Sequence, residues 1–150
     1  MIYSLRALLL AAAVLAPVSA GADPDRLSIL LGAQHPGAER SFEQSNPGIF
    51  FTWEDRALGL DYSIGAYRNS FGRASVAATA ALPVIERGQF QASVFAGLAL
   101  YPGNGDEFAL HAGDVVPIAG LQARLGHGFV QVMPGDGMAI ISFGLTFPLD

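Results

Sequence analysis

The stretch LGLDYSIGAY, residues 58–67, sets Leu58, Leu60, Tyr62, Ile64 and Ala66 in alternation with Gly59, Asp61, Ser63, Gly65 and Tyr67. Successive residues of an extended strand face opposite sides, so a period of two gives one greasy face and one small or polar face. A helix would space its apolar residues three and four apart. The same alternation returns near the end of the chain, where Ser142, Gly144 and Thr146 separate Ile141, Phe143, Leu145 and Phe147. Prolines and glycine-rich breaks interrupt the pattern about every ten residues, as hairpins require. Eight strands are predicted, near residues 26–33, 47–54, 57–67, 73–83, 88–101, 114–125, 128–134 and 138–148.

The predicted connections alternate between two sets. Gln34 to Asn46, Arg68 to Gly72, Pro102 to Gly113 and Gly135 to Gly137 form the first. Glu54 to Arg56, Val84 to Arg87 and Gly126-His127 form the second, which is shorter on the whole. In an outer-membrane barrel the longer loops face outside and the short turns face the periplasm. An even strand number with both ends on one side closes the sheet, leaving no edge to stand unpaired in lipid. The expected fold is therefore all-β, an eight-stranded antiparallel up-and-down β-barrel of membrane type. A soluble periplasmic barrel of the lipocalin kind is the alternative.

Composition bounds the rest. The chain has 150 residues, 51% hydrophobic and only 14% charged, room for one domain of low charge. Residues 1–20 read as a signal peptide. Arg6 gives the positive start, residues 7–16 (ALLLAAAVLA) an apolar core too short to span a bilayer, and Val18-Ser19-Ala20 a small-residue cleavage site. Residues 21–150 then form the barrel, expected in the outer membrane of a Gram-negative bacterium. Its expected partners are membrane lipid or lipopolysaccharide and the outer-membrane assembly machinery, and it is expected to be a monomer. The net charge of −5, with arginine as the sole strongly basic residue type, argues against nucleic-acid binding. The absence of cysteine excludes disulfides, a thiolate metal site and a cysteine nucleophile. Three scattered histidines offer no metal-ligand spacing, and no cofactor is expected.

An eight-stranded barrel is narrow, and side chains normally fill it. Here the middle strands carry small residues, among them Ala77, Ala81 and Gly97. Either Phe95, Tyr67 and Tyr101 fill the gap, or the lumen holds a dry slot for a hydrocarbon chain.

Three segments carry a family resemblance: Ala66 to Arg73 (AYRNSFGR), Val115 to Gly135 (VVPIAGLQARLGHGFVQVMPG) and Asn46-Pro47-Gly48. Together they resemble the lipid A palmitoyltransferases of the outer membrane, over most of residues 46 to 147. The last strand, Ser142 to Leu149, also looks like the C-terminal assembly signal of such barrels, though it ends in Pro148-Leu149-Asp150 in place of an aromatic. The resemblance implies an eight-stranded barrel that holds an acyl chain in its lumen and reacts at the outer surface. It puts Ser70 at the family's essential serine and His35 nearest to its histidine, a few residues late. Asn69 stands where the family has aspartate, and an amide cannot take a proton as a carboxylate does.

Arg40, Arg68 and Arg73 fall toward the same rim, where guanidinium groups suit lipid phosphates. They could equally be loop charges paired with Glu39 or Glu43. Pro47, Pro117 and Pro134 each remove a ladder donor and mark places where a chain could enter sideways from lipid, as the resemblance implies. Ser70 needs a base, for which His35 and His111 are the candidates. Asn69 weighs toward a barrel that binds an acyl chain or lipid A over an active acyltransferase. A serine-dependent lipid A deacylase and a non-enzymatic structural barrel are the alternatives.

Overall fold

A computed structural model describes residues 22–150, so the segment read as a signal peptide lies outside the described residues. Eight strands follow in order: β1 (Arg26–Gln34), β2 (Ser45–Trp53), β3 (Asp61–Arg68), β4 (Ala74–Arg87), β5 (Phe90–Leu100), β6 (Val115–Leu125), β7 (Gly128–Pro134) and β8 (Ala139–Pro148). Each pairs antiparallel with the next, and β8 returns to β1 from Arg26↔Pro148 to Gln34↔Ile141. The sheet is a closed eight-stranded barrel.

Two strand limits move by four residues from the sequence reading, and the others by two or fewer. β3 begins at Asp61, because Ala57–Gly59 forms a short 3-10 turn in which Leu58 takes a left-handed backbone (φ 66°). β4 runs on to Arg87, so Val84 to Arg87 is strand and the turn contracts to Gly88-Gln89. A bulge between Pro83 and Ile85 accommodates the proline within the ladder. One end of the barrel, the loop end, therefore carries connections 35–44, 69–73, 101–114 and 135–138. The turn end carries 54–60, 88–89, 126–127 and both ends of the described chain.

The alternation sorts the side chains into two environments. Ile49, Phe51, Ile64, Val94, Leu121, Val132, Phe143 and Leu145 are exposed on the outer surface. Ser28, Thr52, Ser63, Gln122, Gln131 and Thr146 face the lumen. They pair there: Ser28 with Thr146 at 2.9 Å, Thr52 with Ser63 at 2.8 Å, and Gln131 with Gln122 at 2.7 Å. A soluble barrel reverses this arrangement and keeps its apolar residues inside.

Large inward side chains lie over inward glycines of the adjacent strand. A Cβ on Gly65 would collide with the Phe50 ring and the Ile49 carbonyl. Gly144 lies under Phe129 in the same way. The narrow lumen thus fills by pairing a ring with a gap.

At the turn end Glu54 joins two strands across the lumen. Its Oε1 accepts from Arg26 Nε at 3.0 Å and from Arg124 Nη1 at 2.7 Å. Burial alone would raise the Glu54 carboxyl, but hydrogen bonds from Arg124 and Arg26, together with their charge, hold it below the ordinary carboxylate value. Its folded value lies below its unfolded one, so this stabilisation is present above the ordinary value and lost as pH falls through the folded one.

Two outcomes are expected of the refolded barrel in detergent, read by urea unfolding. Gly65→Val should destabilise it by about 1–3 kcal/mol, the usual cost of overpacking. Glu54→Gln should cost about 2 kcal/mol at pH 7, a difference that shrinks below about pH 4 as the wild-type carboxylate protonates.

Candidate functional site

Ser70 sits in the tight turn between β3 and β4, and Asn69 builds that turn. The Asn69 backbone N–H donates to the Arg73 carbonyl at 2.8 Å, and Gly72 N–H donates to the Asn69 carbonyl at 2.9 Å. The Asn69 side-chain oxygen accepts from the backbone of Phe71 (2.9 Å) and Arg73 (3.1 Å), while its Nδ2 donates to Ser75 Oγ at 2.9 Å. With 1% exposure Asn69 is enclosed, and every polar atom of its side chain has work inside the turn. An acceptor that also donates to Ser75 fits here as an amide, which gives Asn69 a structural reason for its identity.

His35 leaves β1 on the neighbouring 35–44 loop. Glu43 N–H donates to the Ser70 carbonyl at 2.9 Å, stitching that loop to the serine turn. A line of rings continues the connection. His35 stacks on Phe42 at 4.7 Å, Phe42 meets Phe71 edge-on at 5.8 Å, and Phe71 meets Tyr101 and Phe108 at 6.2 and 6.1 Å. The Arg40 guanidinium lies over both Phe42 (4.9 Å) and Phe71 (5.0 Å). Held this way, His35 Nε2 stands 2.8 Å from Ser70 Oγ.

That contact lets a neutral imidazole take the serine proton, once the proton is assigned to Nδ1. Burial lowers the His35 pKa, so the ring is neutral and basic at pH 7. Among the described residues Nδ1 is buried without a partner, so the pair lacks an orienting acid. His111 is exposed and contacts the Gly113 carbonyl at 3.1 Å. The structure pairs Ser70 with His35.

Ser70 borders two spaces. Inward, it lines a lumen cavity of about 110 Å³ whose wall includes Asn46, Phe50, Tyr67, Ala77, Ala81, Phe95 and Tyr101. Its scale approaches that of an engineered apolar cavity of about 150 Å³ that holds benzene. It has room for a short run of methylenes. Ala77 and Ala81 lie on the wall, while Gly97 packs its backbone against Ala78 and Thr79 of β4 and stands back from it. Phe95 and Tyr101 are buried and occupy much of the remaining interior.

Outward, Ser70 lines a rim pocket with Arg40, Arg68, Arg73, Glu43 and Glu107. Arg40 pairs with Glu107 at 3.2 Å and Arg68 with Glu43 at 3.3 Å. Arg73 donates to the Pro102 carbonyl at 2.9 Å. These ion pairs are half exposed and contribute little to stability, so the guanidinium groups can exchange partners at small cost.

The prolines mark interruptions of the ladder. Pro47 sits where the β1–β2 register skips from Leu30↔Gly48 to Gly32↔Ser45, and β2–β3 pairing begins only at Gly48↔Tyr67. β7 pairs with β6 from Leu121↔Val132 downward, so among the described residues Val115–Gly120, which contains Pro117, has no ladder partner on its β7 side. Pro134 closes β7 opposite Ala139.

Three features escaped the sequence reading. Phe42 and Phe108 carry no motif and act through contacts between separate loops. Asn46 gave only its place in a three-residue match. The Arg26–Glu54–Arg124 group joins residues far apart in the chain, with no local pattern to reveal it.

Fold and site together define a class: a closed eight-stranded barrel with a mixed polar and aromatic interior, an apolar exterior and a serine–histidine pair at its mouth. No protein-family model matches the chain, and neither does any curated protein.

Asn69→Ala should leave the part-buried backbone N–H groups of Phe71 and Arg73 without their acceptor and destabilise the barrel by about 1–2 kcal/mol, measured by urea unfolding. Asn69→Asp keeps that acceptor and should retain more of the stability.

Proposed function

We propose that this chain is an outer-membrane barrel that handles acylated lipid, with Ser70 as nucleophile and His35 as base in an acyl-ester step at the loop end. The observation that carries this reading is the 2.8 Å contact between His35 Nε2 and Ser70 Oγ, made by a serine that borders both the lumen cavity and the arginine-lined rim. An ester would lie with its hydrocarbon end toward Ala77 and Ala81 and its charged head among Arg40, Arg68 and Arg73. Lipopolysaccharide, with acyl chains and phosphates on one molecule, meets both demands.

The step balances as ordinary acyl transfer. Ser70 Oγ attacks the ester carbonyl as His35 Nε2 takes its proton, and the alcohol leaves carrying that proton. An acceptor hydroxyl then attacks the acyl-serine, giving its proton to His35 and returning Ser70 to the free hydroxyl. With a lipid hydroxyl as acceptor the result is acyl transfer. With water it is deacylation.

Membrane residence is supported by the sidedness of the strands. Exposed Ile49, Phe51, Ile64, Val94 and Leu145 belong against lipid. The ladder interruptions beside Pro47 and Pro117 give a chain two lateral approaches to the lumen.

The test is mass spectrometry of lipid A from cells with and without the protein. A gained or lost acyl mass supports the proposal, and its persistence in Ser70→Ala removes Ser70 as nucleophile. No mass change sinks the catalytic reading. Because His35 must be neutral to act, the activity should fall on the acid side, with its midpoint below the ordinary imidazole value of about 6.5. The folded protein should fractionate with the outer membrane and shift on gels after boiling. A freely soluble product overturns the membrane assignment.

A further inference from the structure

His35 lacks the carboxylate that orients the base of a serine–histidine–acid triad, since its Nδ1 is buried without a partner among the described residues. Its orientation therefore comes from packing. The ring stacks on Phe42, with 4.7 Å between centroids and 25° between planes. Phe42 in turn lies on a stretch with little backbone support. Ala38 N–H donates to the His35 carbonyl and Glu43 N–H to the Ser70 carbonyl. Between them, among the described residues, the backbone of residues 39–42 makes no hydrogen bond to other backbone groups. Side chains must hold Phe42 in place.

Arg40 is placed to do so. Its guanidinium carbon lies 4.9 Å from the centroid of Phe42 and 5.0 Å from that of Phe71, the residue that follows Ser70. Phe42 and Phe71 meet edge-on at 5.8 Å, so one cation spans two rings set 77° apart. Glu107 holds the same guanidinium from the 101–114 loop at 3.2 Å. Contacts thus run from Glu107 through Arg40 and Phe42 to the imidazole, while Phe71 leads back to the nucleophile. A planar guanidinium suits this position because it packs on rings and pairs with a carboxylate at once.

We infer that Arg40 is a positioning residue for the serine–histidine pair, clamping Phe42 against Phe71 so that His35 keeps its Nε2 toward Ser70. The clamp takes the place of an orienting acid. The inference rests on the reading of Ser70 as nucleophile and His35 as base, and gives Arg40 a task apart from binding a charged head. A reacting pair displaced by about 1 Å loses on the order of a hundredfold in rate, so a side chain that touches neither reacting atom can still govern the step.

The experiment uses the full barrel refolded in detergent and a neutral alkyl fluorophosphonate, a probe with no anionic head for the rim arginines. Ser70 Oγ attacks phosphorus as His35 Nε2 takes its proton. The P–O bond forms, the P–F bond breaks, fluoride leaves, and His35 releases the proton to solvent. Labelling is followed by intact mass, and Ser70→Ala should not label. In Arg40→Ala the maximal labelling rate should fall about ten- to a hundredfold, while the probe concentration giving half that rate changes by less than about twofold. Phe42→Leu should show the same loss. Adding Arg40→Ala to it should slow labelling by less than about twofold more, because both substitutions undo one clamp.

Failure of wild type to label overturns the serine–histidine reading itself. Labelling of Arg40→Ala at the wild-type rate overturns the role of Arg40 and leaves Ser70 as nucleophile. A loss carried by probe affinity makes Arg40 a binding group and overturns the inference. A loss that adds in full to that of Phe42→Leu routes Arg40 through another group and overturns it too. Should Arg40→Ala not fold, judged by the gel shift on boiling, Arg40→Lys decides, since it keeps the charge and the reach to Glu107 without the flat face. A maximal rate for Arg40→Lys within about twofold of wild type overturns the inference, and a slower one supports it.

Discussion

Closure of the sheet is the constraint on which the rest depends. The β1–β8 ladder spans the whole of β1 and leaves the barrel without a free edge along that seam. Once the sheet is a cylinder, every residue of every strand faces either the lumen or the surroundings. The lumen is too narrow for large side chains at every position, so glycine must sit beneath Phe50 and Phe129. Polar groups turned inward have only one another to satisfy them, which explains the paired hydroxyls and amides of the lower lumen.

The two ends of that cylinder are built differently. The turn end is closed by an ionic group in which one carboxylate serves two guanidinium groups. The loop end is held by rings, by one backbone bond between Glu43 and Ser70, and by exposed ion pairs. Ser70 and His35 belong to the second kind of assembly. Their contact depends on the packing of Phe42 and Phe71 as much as on the strands beneath them.

How much of this could be read from the chain follows from the same division. Strands were legible because a closed barrel imposes two-sided alternation on every one of them, and all eight fall close to their expected places. The limits that moved did so for backbone reasons: Leu58 is apolar but sits at positive φ, and Pro83 is absorbed by a bulge. Ser70 and His35 were named from a resemblance, but the bond between them depends on loop conformations with no periodic signal. Asn69 was read as a defective acid. Its neighbours show that its side chain is fully occupied in holding the turn. The partner of Arg40 proved to be Glu107, on a distant loop that no local spacing would have suggested.

Glu54 has a mechanical consequence. By gripping Arg26 on β1 and Arg124 on β6, strands that are not neighbours in the sheet, it braces the cylinder across its bore. A tube braced at one end cannot flatten there, so any ovalisation must be taken up at the other. That other end is where β6 and β7 part company above Leu121 and Val132. The barrel is thus a stiff cup with a pliable lip, and breathing of the wall is directed to the rim that carries Ser70 and His35.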